Sequence, residues 1–344
     1  MVFWAWWEIG IHATFYSWER REQDPFRESD MIDFSQTHRI SEQNVTFRSG
    51  KTSGKPRLTV AIPTYKRGHI IRRALTSLAN QTFKDFVLII SDDGGDDSTT
   101  KAVVEELAHN FQEVVLIAQN HNLGSLENFA FVSGLAETDH FLWLADDDAF
   151  SSRYIENLVR AVENDPSIAI ARGRWHRMID PVSYVEFPPQ EYPSHSRIAR
   201  ILRYVSFNHD DSFFYGLHRV EFLRKIKFEG FAWPNQGVLT NWCYVFLFDM
   251  IWGGRVVFVQ DATWYCHNYT AKDYVRAEAF TLTDRMKTFA RRVNVYSMFL
   301  KRVLQRQPIM LVAVVPAAAF GLIREVLWAA VRILSRNVKR LFEN

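Results

Sequence analysis

A chain of 344 residues with 47% apolar and 15% aromatic side chains can bury a sizeable core, which excludes a disordered protein and suggests one large domain or two. Its two cysteines, Cys243 and Cys266, exclude a disulfide framework and suit no zinc site, so a reducing compartment is the default. The formal net charge is only +2, yet from Arg285 onward twelve Lys or Arg face two acids, and such a basic tail on a mildly acidic body suggests an anionic surface as partner.

Residues 1 to 54 read as an aromatic-rich segment and linker. Trp4, Trp6, Trp7, Phe15, Tyr16 and Trp18 crowd its start, while Glu8, His12 and the lack of a basic leader argue against a secretory signal. The stretch is too short and polar for a membrane span, which leaves an interfacial anchor or packing on the protein's own core.

From Arg57 the pattern changes to short β-rich runs alternating with helical periodicity. Strands are predicted at Leu58 to Ile62, stopped by Pro63, then at Phe86 to Ile90, Val114 to Ala118 and Phe141 to Ala145. Helices are predicted at Ile70 to Asn80, Thr100 to Asn110 and Leu126 to Ala136. This alternation means βαβ units and an α/β fold with a mostly parallel, Rossmann-like sheet. Pro63-Thr64-Tyr65, Asp92-Asp93-Gly94 and Asp146-Asp147-Asp148 then follow successive strands, so polar chemistry collects at one sheet edge, where ligands of such sheets bind.

The acidic triplet is the most informative stretch. Three adjacent carboxylates repel one another and are tolerated where water solvates them or a cation neutralises them. Because they directly follow an apolar strand, a hard divalent ion with oxygen ligands, Mn²⁺ or Mg²⁺, is expected there.

Four pieces, AIPTYKR (61 to 67), SLANQTFKDFVLIISDDGGDDST (77 to 99), NHNLGSLENF (120 to 129) and LWLADDDAF (142 to 150), appear in the order and spacing of the family 2 inverting glycosyltransferases, which the chain resembles from about Leu58 to Ile155 and more weakly to about Tyr269. The resemblance implies a GT-A fold, a nucleoside-diphosphate sugar donor, UDP-linked by preference, a divalent metal, and single displacement at the anomeric carbon. It implies nucleotide contacts from Pro63, Thr64, Tyr65, Asp93 and, second to it, Asp92, with Arg67 toward the diphosphate. The family's Asp-x-Asp metal motif is met by Asp146 and Asp148, with Asp147 as the alternative if the register slips, and His267 in TWYCHNY matches a histidine that reaches the metal or diphosphate in many relatives.

The second half departs from the pattern. A strand is predicted at Ala169 to Arg174, a helix at Arg197 to Val205, a strand at Phe213 to Leu217 leading into Val220 to Ile226, a helix at Thr240 to Trp252 and a strand at Arg255 to Val259. Many relatives carry Glu-Asp near the start of that last helix, one carboxylate being the base, whereas this chain has Asn241-Trp242, and neither can take a proton near neutral pH. Asp210 and Asp211 are the first choice as base, with Glu229 and Asp249 behind them. Finally, Arg285 to Arg306 is a basic helical stretch and Ile309 to Ile323 carries no charge, about 22 Å of helix against a bilayer core of about 30 Å. Helices lying in a membrane interface are expected, with a span or a packed C-terminal helix as alternatives; so apolar a tail disfavours nucleic acid.

The sequence thus reads as an N-terminal segment (1 to 54), a glycosyltransferase domain (55 to 275) with donor (55 to 155) and acceptor (156 to 275) halves, and a membrane-association region (276 to 344). The expected protein works at the cytoplasmic face of a membrane on a lipid-linked or glycan acceptor, with homo-oligomerisation open. A non-catalytic nucleotide-sugar-binding scaffold and a nucleotidyltransferase are the alternatives.

Overall fold

The computed structural model describes residues 32–33, 44–51, 54–94, 98–179, 182–186, 191–206, 211–228, 231–232, 239–240, 242–267 and 282–342. Most of the N-terminal segment, with its tryptophans, lies outside them.

Ten strands form the main sheet: β1 (Val45–Gly50), β2 (Leu58–Thr64), β3 (Phe86–Asp92), β4 (Glu113–Ala118), β5 (His140–Trp143), β6 (Ala149–Phe150), β7 (Ile168–Met178), β8 (Tyr184–Glu186), β9 (Leu217–Arg219) and β10 (Arg255–Cys266). Their order is β1-β4-β3-β2-β5-β9-β7-β10-β6, with β8 hairpinned onto β7. The run β4-β3-β2-β5 is parallel, as the βαβ pattern requires, and β7-β10 is a second parallel pair; short β9 joins the two blocks by antiparallel pairing on both sides. Largely apolar, buried strands suit this position, because both faces of the sheet are covered.

Alternation sorts the side chains. On β2, and on β5 with the residue after it, Leu58, Val60, Ile62, Leu142 and Leu144 face the layer of α1 (Arg72–Ala79), α2 (Ser98–Leu107) and α4 (Tyr154–Glu163). Ala61, Phe141 and Trp143 face the opposite core, built with α3 (Ser125–Gly134), α5 (Arg197–Ser206), α6 (Trp242–Gly253), α7 (Leu282–Arg306) and α8 (Leu311–Phe342). The result is a three-layer α/β arrangement.

Several expected boundaries shift. β2 runs through Pro63 to Thr64, because its pairing with β5 ends at Ala61 and Trp143 and only β3 continues alongside, so the missing proline N–H breaks no ladder there. Phe213 to Leu217 is not a strand: Asp211–Tyr215 is a 3₁₀ turn and only Leu217–Arg219 pairs. Phe213 and Phe214 are both buried, the first against Tyr192 and the second stacked on Trp143. Only Val220–Leu223 of the following stretch is helical, and β10 extends to Cys266, well past Val259.

The charged pair Arg324-Glu325 does not interrupt α8, which is one helix of 32 residues. Val314, Ala318 and Gly321 pack inward; a Cβ on Gly321 would lie 2.6 Å from the Val205 carbonyl oxygen and 2.3 Å from the Tyr296 hydroxyl, so glycine permits this close helix approach. The outward side carries Val312 (77% exposed), Val315, Phe320, Ile323 and Leu327, preceded by Ile309 (74%). Among the described residues no helix is long and apolar enough to cross a membrane.

Candidate active site

The ends of the parallel strands bring the polar motifs together. Thr64 is in register with Asp92, and its hydroxyl donates to Asp146 Oδ2 at 2.7 Å. The backbone then turns through Asp93 and Gly94 (φ +72°), where a Cβ would lie 2.3 Å from the Asn122 nitrogen, so only glycine lets the loop after β4 press this close. Asp93 spans that loop, accepting from the Leu123 amide at 2.6 Å and the Gly124 amide at 3.0 Å, while burial pulls its pKa upward against those bonds. Its nearest visible role is therefore to shape the loop that opens α3. Buried Asn128 and half-buried Gln119 anchor the same loop to Ser91 of β3, the former through a 3.2 Å bond to its carbonyl, the latter through a 3.0 Å bond to its hydroxyl. Tyr65 stands exposed beside it, with the Lys66 ammonium 5.1 Å from its ring centroid.

The triplet is not a solvated turn: Asp146 and Asp148 are 4% and 3% exposed. Arg67 bridges Asp146 (3.0 Å) and Asp147 (2.6 Å), and Arg73, at the start of α1, donates to the Asp147 carbonyl at 3.2 Å. Asp148 accepts from Trp264 Nε1 at 2.8 Å and from the His267 amide at 2.9 Å. Burial and the Asp147 charge push the Asp148 pKa up to about 7 despite those two donors, and burial also raises Asp146, opposed by Thr64 and Arg67. Asp146 and Asp147 thus share the Arg67 guanidinium, while Asp148 meets two neutral N–H donors, and the acidic centre lies between two basic residues, Arg67 and Arg73.

Comparison with known proteins gives this edge a family. Residues 59–227 match the model described as Glycosyl transferase family 2. The chain carries a family 2 glycosyltransferase domain. Over 106 residues it is 32% identical to the GalNAc(5)-diNAcBac-PP-undecaprenol beta-1,3-glucosyltransferase of Campylobacter jejuni, covering 30% of this chain and 34% of that one. Over 56 residues it is 46% identical to the validoxylamine A glucosyltransferase of Streptomyces hygroscopicus, 16% of this chain and 13% of that one. The chain therefore spans about a third or less of these curated relatives. Its fold matches the crystal structure of S. aureus TarS over 73% of this chain and 44% of that one, with a TM-score of 0.50 at 16% identity.

The family implies a divalent cation, and the residues present fit one. No group of three or more His, Cys, Asp or Glu side chains forms a ready cage among the described residues. Mg²⁺ and its like, however, usually take one or two protein carboxylates and draw further ligands from substrate phosphates and water. Asp146 and Asp148 could supply the two carboxylates. His267 Nδ1 lies 3.0 Å from the Tyr265 carbonyl and donates to it, which leaves Nε2 of the neutral ring as the lone-pair side, the arrangement typical of a metal-binding histidine.

The base candidates separate. Asp249 sits mid-α6 with its carboxylate on Arg306 (2.6 Å) and Arg302 (3.2 Å) of α7; this buried ion pair joins the C-terminal helices to the domain and removes Asp249 as a base. Asp210 and Glu229 lie outside the described residues. Asp211 opens the 3₁₀ turn whose next residues, Ser212, Phe214 and Tyr215, line a cavity of about 240 Å³ shared with Trp242 and Trp264. Sequence reasoning missed Arg73 and Trp264. Arg73 followed the predicted β2 strand closely enough to be suspected beside Arg67, whereas nothing local marks Trp264, whose partner Asp148 is 116 residues away.

Proposed function

We propose that the protein transfers a sugar from a nucleoside-diphosphate donor, UDP-linked by preference, to a hydroxyl of a lipid-linked or glycan acceptor, with inversion at the anomeric carbon. The observation that carries this reading is the meeting of Thr64, Arg67, Arg73, Asp146, Asp148 and His267 at one strand-end edge, a negative centre flanked by cations that suits a metal diphosphate. Pro63, Thr64, Tyr65, Asp92 and Asp93 would border the nucleoside; Arg67 and Arg73 would take diphosphate oxygens. Asp146, Asp148 and His267 would hold Mn²⁺ or Mg²⁺, with Asp147 the alternative ligand. When bound, the metal would neutralise charge on the leaving diphosphate. Asp210 or Asp211 would accept the acceptor proton as its oxygen bonds to the anomeric carbon and the bond to the diphosphate breaks, the nucleoside diphosphate leaving with the electron pair.

Two names support the finer parts. S. aureus TarS has been solved in complex with UDP, and the C. jejuni relative is named for an acceptor on PP-undecaprenol. A lipid-linked acceptor also fits the exposed stripe Val312, Val315, Phe320, Ile323 and Leu327 on α8, followed by Arg332, Arg336, Lys339 and Arg340: an apolar face with basic residues beyond it suits an anionic cytoplasmic leaflet. The test is a panel of nucleotide sugars assayed for hydrolysis and thermal stabilisation with and without Mn²⁺. A metal-dependent response to at least one is expected, and no response to any refutes the reading.

A further inference from the structure

The carboxyl end of α6 gathers arginines from two other helices. Arg200 of α5 serves its last carbonyls, Nε donating to Ile251 at 2.9 Å and one Nη to Trp252 at 3.4 Å, while the other Nη donates to the Ser194 and His195 carbonyls. Arg302 and Arg306 of α7 share the Asp249 carboxylate. Arg197, at the start of α5, donates from Nε to the Trp252 carbonyl at 3.2 Å and holds its guanidinium 5.2 Å from the Trp252 ring centroid; that of Arg306 lies 5.5 Å from the same centroid.

Capping the negative end of a helix accounts for Arg200, and ion pairing for one side of Arg306. Arg197 is different: it is exposed, its carbonyl is one that Arg200 already serves, and it meets a carbonyl and a ring, neither of them an anion. The corner is therefore rich in positive charge, and burial together with the charges of Arg197 and Arg255 lowers the Arg200 pKa. Planar guanidinium forks with N–H donors to spare match phosphate oxygens. The corner also lies where the outward stripe of α8 begins. Three residues after Arg306 the chain reaches exposed Ile309, then Val312, and exposed Ile198 follows Arg197. From there α8 meets the far end of α5, where Gly321 lies against the Val205 carbonyl, so the two arginines stand at the head of the stripe. Cations beside apolar side chains mirror the headgroup and acyl ends of a phospholipid.

We infer that Arg197 and Arg306 form a headgroup site for one anionic phospholipid, its phosphate held by the two guanidinium groups beside Trp252 and its acyl chains laid along Ile309 and Val312. The inference rests on the membrane reading of α8 and goes beyond it. A diffuse attraction to an anionic surface is indifferent to which arginine supplies the charge, whereas a site depends on Arg197 in particular and binds a headgroup even where there is no surface.

The test uses the full chain in two settings. In the first, dihexanoyl-phosphatidylglycerol is titrated below its micelle concentration and followed by calorimetry, so that a single headgroup can bind with no membrane present. Wild type should bind it, and Arg197→Gln should weaken binding about tenfold or more, the scale of a lost hydrogen bond to a charged group. Arg203→Gln removes the same charge from another exposed position of α5 and should leave the binding nearly unchanged. In the second setting, phosphatidylcholine vesicles with and without phosphatidylglycerol are sedimented with each protein. Arg197→Gln should lose about tenfold of the phosphatidylglycerol-dependent partitioning, and Arg203→Gln about fivefold at most, the share of one basic residue near an anionic surface. Equal losses in the two variants overturn the site, and so does a wild type that ignores the monomer, a result that needs no variant to fold. Inorganic phosphate that displaces the monomer at equal concentration would mark a free-phosphate site and overturn the lipid assignment. Wild type that binds vesicles but not the monomer refutes the site and leaves the membrane reading of α8 standing; wild type that binds neither refutes both.

Discussion

His218 offers a stability test whose sign and size follow from its surroundings. It lies fully buried in β9, against Trp143, Phe246 and Phe214 at 5.0, 5.5 and 6.3 Å between ring centroids. Nε2–H donates to the Phe214 carbonyl at 2.8 Å, which ties β9 to the 3₁₀ turn carrying Asp211 and the cavity wall. Burial pushes its pKa down to about 4, outweighing that bond, which acts the other way. The folded state thus binds this proton less readily than the unfolded chain. The contribution is fully present above the unfolded value of 6.5 and is lost as pH falls toward about 4. The whole linkage is about 3 kcal/mol, of which about 2 kcal/mol falls between about pH 7.5 and about pH 5. His218→Gln keeps an N–H donor but cannot titrate. Urea unfolding of both proteins at the two pH values should show wild type losing about 2 kcal/mol more than the variant on acidification, whatever their difference at the higher pH. Equal losses would refute the idea that this histidine is held neutral by its aromatic cage.

Asp148→Asn and Asp146→Asn should each abolish the Mn²⁺-dependent part of nucleotide binding, read by calorimetry with UDP, while far-UV circular dichroism stays that of the wild type; intact metal-dependent binding in both would remove the metal site. Asp210→Asn and Asp211→Asn, measured separately, should show one variant that loses transfer by about 10² or more and keeps nucleotide affinity. If both retain transfer, Glu229 is the next candidate, since Asp249 is committed to Arg302 and Arg306. Phe320→Glu combined with Ile323→Glu should release the protein from anionic vesicles in a sedimentation assay without unfolding it, because both side chains are more than half exposed. Binding that survives the double change would point to another surface.

The donor half was largely legible because its information is local. Each strand of β2, β3 and β5 is a short apolar run followed at once by its polar residues, so finding the strands places Thr64, Asp92, Asp93 and the triplet on one edge without any knowledge of long-range contacts. What the motifs do individually was less legible. The glutamine of the SLANQTF piece, Gln81, accepts from the Ile155 amide and donates to the Ser151 carbonyl, fastening α1 to the start of α4 rather than touching the edge. Asp93, read as a nucleotide contact, also holds the Leu123 and Gly124 amides, a role that depends on a loop some 30 residues later. The acceptor half resisted for a related reason. Its runs of adjacent aromatic residues, such as Phe213-Phe214-Tyr215, have neither period 2 nor period 3.6, and they bury themselves by turning around Trp143, whose ring stacks on Phe214 at 4.2 Å. Such a cluster is specified by shape complementarity among residues far apart in sequence.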